Sequence, residues 1–247
     1  MRNKEGKKKY LAVCLLVFVL CTADHLTDVF LTSGGENLAE YIWRDFMLKL
    51  CPGKRYSFME IIRSMWILFL SLFVLGAYMW EPYACSAVYL FGRNHKRLQF
   101  FTKRSIGAAG WVIMMTLSYG ITLLVIGLFN TGEMFSVSSV LTFLYVMVYA
   151  AETIWIFVLL SNFVVLSLGE VIGCSFAAVM ILICIILQQN EGVMINILNP
   201  LSITFHSAFS GDAVIKLLIN AGILLIENVL VIRQYARYDI VHQDTMI

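Results

Sequence analysis

Residues 81–104 read EPYACSAVYLFGRNHKRLQFFTKR, a polar and basic island between two long apolar runs. Arg93, Lys96, Arg97, Lys103 and Arg104 alternate there with Leu90, Phe91, Leu98, Phe100 and Phe101. Wound as a helix, the stretch puts Lys96, Phe100 and Lys103 on adjacent turns, the layout of an amphipathic helix lying on a surface. The simplest account of such an island is a cytoplasmic loop. Loops rich in Lys and Arg stay inside, and their aromatic residues settle among the lipid headgroups.

The surrounding composition agrees. Of 247 residues, 60% are apolar and 14% charged, and the mean hydropathy is +0.81. A soluble single domain is not this apolar, and the chain reads as a polytopic membrane protein. Three prolines, Pro52, Pro82 and Pro200, leave the apolar runs free to be helices. Those runs are continuous rather than alternating, which disfavours a β-barrel. A formal net charge of +2 gives no reason to expect nucleic acid as a partner. The six cysteines, Cys14, Cys21, Cys51, Cys85, Cys174 and Cys184, contain no C-x-x-C pair, so neither a metal site nor a redox motif is expected.

On the N-terminal side of the island, residues 61–80 form a span with Arg63 near its outer end, and Pro82 then bends or breaks the helix. Before it, 24–60 is polar with mixed charge. After the turn at Ser33, Gly34 and Gly35, the spacing of Leu38, Ile42, Phe46 and Leu50 predicts an amphipathic helix on the outer face. Covering helix ends is its expected role, ahead of a peptide-binding lid. The head carries Arg2, Lys4, Lys7, Lys8 and Lys9 against one acid, Glu5. The run over 10–31 reads either as a cleaved signal peptide or as an uncleaved first helix, and the second is the expectation.

On the C-terminal side, spans are expected at about 106–129, 137–166, 171–187 and 213–232. The link at 167–170 is so short that the fourth and fifth helices must be antiparallel neighbours. Gly169, Gly173 and Ala177 recur at four-residue spacing, a small-residue face that lets membrane helices approach closely within one chain. Between the last two spans, apolar pieces too short to cross flank Asn199 and Pro200, which predicts a re-entrant or interfacial hairpin.

These readings define an all-α protein, one transmembrane domain of six helices over 1–247. Five Lys and Arg in the head, five in the island and two in the tail then fall inside, and six of the eighteen outside or at outer helix ends. That bias places both termini in the cytoplasm. Within the spans, Glu152 and Glu227 stand mid-run, with Asn228 beside the latter and Lys216 and Asn220 on the same helix. Intramembrane ionisable groups face the bundle interior or a wet cavity. Two roles are open for the five: lining a substrate path, or polar glue between helices. No H-E-x-x-H, G-x-S-x-G or phosphate-loop pattern occurs, and the four histidines are dispersed, so no catalytic constellation is expected.

The order Glu81, the small pair Cys85 and Ser86, the aliphatic run 88–90, Arg93, and then Lys96, Arg97 and Lys103 resembles the region between the second and third helices of ABC-2 type ABC-transporter permeases. It is most similar to the short six-span permeases of bacteriocin and lantibiotic export and immunity systems. Cys85 and Ser86 stand where a Gly-Thr pair is usual. The resemblance implies a cytoplasmic coupling helix between helices 2 and 3 that docks on an ATP-hydrolysing subunit through Glu81, Arg93, Lys96, Arg97, Leu98, Phe100, Phe101, Lys103 and Arg104. It also implies a re-entrant outer segment between helices 5 and 6.

By the same resemblance the chain has no nucleotide-binding domain. ATP and Mg would be handled by a separate ATPase, in two copies, beside a second permease, identical or related, in a bacterial cell membrane. The implied cargo is amphipathic, an antimicrobial peptide exported or expelled for self-immunity, with lipid or drug as alternatives. The rival from another class is a non-transport scaffold or sensor-associated subunit, whose island touches anionic lipid alone.

Overall fold

The computed structural model describes residues 11–23, 37–46, 57–80, 97–132, 136–188, 198–202 and 211–237. Seven helices run through them: α1 (Leu11–Ala23), α2 (Leu38–Asp45), α3 (Phe58–Leu75), α4 (Arg97–Thr131), α5 (Val137–Leu168), α6 (Glu170–Gln188) and α7 (Gly211–Arg237). The described residues are thus organised as an all-helical bundle, and α4 to α7 are each long and apolar enough to cross a membrane. At 1.5 Å per residue the 35 residues of α4 extend about 52 Å, well beyond the hydrocarbon core of about 30 Å. The excess lets its charged first turns stand outside the hydrocarbon.

Helix boundaries follow local chemistry. Ser57 caps α3 in a reciprocal box: its side chain accepts from the Glu60 amide at 3.3 Å, and Glu60 Oε2 accepts from the Ser57 amide at 2.7 Å. Ser136 and Ser139 make the same exchange at the start of α5. Gly169 ends α5 at φ +88°, a left-handed conformation that glycine adopts without strain, and α6 begins at the next residue.

That turn folds α6 back along α5. A Cβ on Gly173 would stand 2.8 Å from the Val165 amide nitrogen and 2.9 Å from its Cα, so only glycine allows this approach. Gly173 and Ala177 are buried in the seam, which makes the small-residue face an intramolecular one.

α5 is the central helix, packed against α2, α3, α4, α6 and α7. α7 runs parallel to α5, since Tyr235 bonds to Asn162 near one end while Lys216 and Tyr149 hold adjacent residues of one segment near the other. α4 runs antiparallel to α7, with Phe101 beside Tyr235 and Ser105 bonded to Asn228. α1 lies on α4, where Ser118 Oγ donates to the Cys14 carbonyl at 2.9 Å and Cys14, Val17 and Cys21 turn one buried face inward.

Two expectations change in detail. Residues 97–104 are the opening turns of α4, continuous with a spanning helix, and not a separate helix on the surface. The reason is visible in the burial: Phe101, Ser105, Ala108 and Val112 are all buried, so the apolar stripe of the membrane helix simply continues into the basic turns. The outer amphipathic helix forms, as α2, but it enters the bundle. Leu38, Tyr41, Ile42 and Phe46 are all buried, and the missing side chain of Gly127 on α4 makes room for Leu38 and Tyr41.

Candidate functional site

Polar side chains gather at two levels. The first is the end of the bundle that carries the basic turns, where the last turns of α3 meet α4, α5 and α7. After Leu75 the α3 chain tightens into turns over 76–80, leaving carbonyls without helical partners. Asn162 of α5 meets them: its Nδ2 donates to Leu75 O at 2.9 Å and to Val158 O at 2.8 Å, while its Oδ1 accepts from the Met79 amide at 2.8 Å. The main-chain oxygen of Asn162 accepts in turn from Tyr235 of α7 at 2.8 Å. Asn162 is 1% exposed, so its side chain can make these bonds only within the protein.

Arg104 holds the same turn from the other side. Its Nε donates to Tyr78 O at 2.8 Å, a second guanidinium nitrogen reaches the same oxygen, and the guanidinium lies 4.2 Å from the centre of the Tyr78 ring. Phe101, fully buried, packs its ring 5.2 Å from Tyr235 and 5.2 Å from Phe100. Ser105 Oγ donates to Asn228 Oδ1 at 2.6 Å. The island residues therefore divide. Phe101 and Arg104 point inward, Phe100 is half-buried, and Leu98 and Lys103 are exposed. Arg97 opens α4; Glu81, Arg93 and Lys96 lie outside the described residues.

The second level lies deeper. Residues 198–202 enter the bundle between α5, α6 and α7. Lys216 Nζ donates to Asn199 O, Tyr149 OH to Pro200 O at 2.7 Å, and Thr153 Oγ1 to the same oxygen at 3.4 Å. Asn199 Nδ2 donates to the Cys184 carbonyl at 2.7 Å, and its Oδ1 accepts from the Leu201 amide at 3.1 Å. This is non-helical backbone among helices long enough to span, buried in protein and satisfied by side chains, the condition under which a bilayer tolerates it.

Phe46 of α2 reaches the same level, with its ring 6.0 Å from Tyr149 and 6.5 Å from Tyr119, and Tyr145 stacks on Tyr149 at 6.3 Å. The segment and the three helices beside it carry buried polar atoms without hydrogen-bond partners: the hydroxyl of Ser202, Oε2 of Glu152 on α5, and both amide atoms of Gln188 on α6 and of Asn220 on α7.

Of the five intramembrane polar residues, Lys216 and Asn220 belong to this deeper level. Asn228 belongs to the basic end, and Glu227 lies between. Measured from the Asn162–Tyr235 bond, Glu152 and Glu227 sit about 15 and 12 Å along their parallel helices, so the two acids share nearly one depth. Oε2 of each is buried without a partner. Tyr149, Thr153, Asn162, Gln188, Ser202 and Tyr235 carry no pattern that singles them out in the sequence; the breaker pair at Asn199 and Pro200 and the S-x-x-E box at Ser57 do.

The fold and these two levels define a class, the all-α multi-pass membrane protein, with four helices among the described residues long and apolar enough to span. Comparison with family models, curated proteins and solved structures returns no match for the chain.

Proposed function

We propose that the chain is the membrane-spanning permease subunit of an ATP-driven exporter of ABC-2 type, with six spans and both termini in the cytoplasm of a bacterial cell. α1 and α3, with the residues that flank them, make the first two crossings. The observation that supports this reading is the build of α4. Its basic opening turns are continuous with an apolar helix long enough to span, and Arg104 and Ser105 tie them to the end of α3 and to α7 while Phe101 shares a buried cluster with Leu159 and Leu166 of α5 and Tyr235 of α7.

A load applied to such turns is delivered to four helices at once. This is what an ATPase docked there needs in order to shift the bundle between inward and outward states. Exposed Leu98 and Lys103 belong to the docking face, which pairs an apolar contact with a charged one. Phe101 and Arg104 transmit rather than dock. The cargo is an amphipathic peptide, exported or cleared from the producer's own membrane; lipid and drug are the alternative cargoes.

The test is gentle purification of the tagged chain from native membranes, with identification of every companion and an assay of ATP hydrolysis. A soluble subunit with a phosphate loop should be recovered, and lost when Leu98→Glu and Lys103→Glu are combined. A chain that comes alone, or whose attachments dissolve in salt and need no ATPase, returns the scaffold on anionic lipid.

A further inference from the structure

The segment 199–202 is held chiefly by its main chain. Lys216, Tyr149 and Thr153 all donate to carbonyl oxygens, those of Asn199 and Pro200, so each of these bonds ends on the backbone of the segment. Donors aimed at carbonyls read a peptide backbone, not its sequence. Two successive carbonyls of another chain present the same acceptors.

The neighbouring unpaired groups extend this surface. Asn220 lies one turn beyond Lys216 on α7, and Gln188 one turn beyond Cys184 on α6, whose carbonyl accepts from Asn199. Each is at least 98% buried, and neither atom of its amide has a partner. A primary amide offers a donor and an acceptor side by side, the complement of a peptide group. Leaving both unmet in an interior surrounded by hydrocarbon is costly, and a second backbone would meet them.

We propose that Lys216, Tyr149 and Thr153, extended by Asn220 and Gln188, form a binding site for the main-chain amides of an apolar, extended peptide, and that the chain's own residues 199–202 fill it in this structure. Incoming peptide displaces the segment and takes over its donors. The proposal names a subsite for the cargo proposed above, and rests on that reading only for the direction in which bound peptide travels.

Cys184 reports the exchange. It is buried, its thiol lies within electrostatic reach of Lys216, and both Lys216 and the Cys184 carbonyl are bonded to Asn199, so withdrawal of 199–202 changes the exposure of that thiol. The full chain, reconstituted in phosphatidylcholine nanodiscs, is treated with N-ethylmaleimide with and without an N-acetylated, C-amidated peptide of alternating leucine and glycine, and labelling at each cysteine is read by mass spectrometry.

The peptide should speed labelling of Cys184 about tenfold, as expected when a local opening becomes populated, and leave Cys14 unchanged. Lys216→Met should raise the rate without peptide and remove the increment. Tyr149→Phe should do the same more mildly, and serves if Lys216→Met does not fold. An unchanged Cys184 rate at saturating peptide overturns the proposal. So does an equal rise with dodecylphosphocholine, which carries no amide. Failure to recover an ATPase, with the Cys184 response intact, would sink the permease reading and leave this site standing.

Discussion

Arg104 Nε donates to the main-chain oxygen of Tyr78 at 2.8 Å while its guanidinium lies 4.2 Å from the centre of that residue's ring. One side chain thus closes the frayed end of α3 and stacks on it, from a helix that begins only a few residues earlier. Lysine matches neither the fork nor the stacking. Arg104→Lys should therefore lower the thermal unfolding midpoint of the purified chain, by about 1–3 kcal/mol in stability, because an ammonium cannot place two donors on the Tyr78 carbonyl and stack flat on its ring. If Arg104 served only a docked partner, the isolated chain would melt unchanged.

Asn162→Leu keeps the volume and removes three hydrogen bonds at one stroke, two of them to α3. The amide of Met79 is then buried without a partner and the Leu75 carbonyl keeps only the Tyr78 amide at 3.0 Å, at a cost of about 1–3 kcal/mol. Tyr235→Phe removes a single interhelical bond and should cost only about 0.6 kcal/mol, the usual value in membranes. Unfolding of both variants in mixed micelles checks the order, and equal effects would contradict it.

The two glycines at 173 and 110 should respond oppositely to alanine. At Gly173 the new methyl meets the backbone of Val165, which cannot swing aside, so α5 and α6 are forced apart at a cost of about 1–3 kcal/mol. At Gly110, mid-helix in α4, nothing lies within 4 Å of the new carbon, and alanine gains about 0.5–1 kcal/mol of helix propensity. Midpoints of thermal unfolding that shift in the same direction would refute the packing described for the α5–α6 seam.

Glu152→Gln and Glu227→Gln separate the two roles open to these acids. Each leaves Oε2 unbonded inside the bundle, so neither holds helices together through that atom, and the amides should keep stability within about 0.5 kcal/mol. Peptide resistance or export in cells should fall nonetheless. Unchanged transport together with clear destabilisation would make them glue.

The four long helices were legible because about twenty consecutive apolar residues have few other uses. Spans expected at 137–166, 171–187 and 213–232 became Val137–Leu168, Glu170–Gln188 and Gly211–Arg237. The error at 97–104 came from reading charge before periodicity: Lys103 and Arg104 drew attention, while the buried series Phe101, Ser105, Ala108 shows the helix already under way.

The amphipathic stripe of α2 was visible, but whether a stripe faces lipid, water or a bundle is decided by partners elsewhere in the chain. Asn162 was illegible for a related reason. It bonds across 83 and 87 residues of sequence, and to main-chain groups that every residue possesses. The non-helical stretch at Asn199 and Pro200 announced itself through its breakers; the donors that hold it, Tyr149, Thr153 and Lys216, did so only in the case of the lysine.

The turn at Gly169 also bears on biogenesis. With one residue between them and no space at Gly173 for a lipid tail, α5 and α6 are the two arms of a closely packed helical hairpin, the unit that a membrane-insertion machinery has to accept together. Such a pair adds no net crossing. With both arms crossing, the chain after residue 188 returns to the side on which the chain before residue 137 lies, and a change of sidedness at one has to be matched at the other.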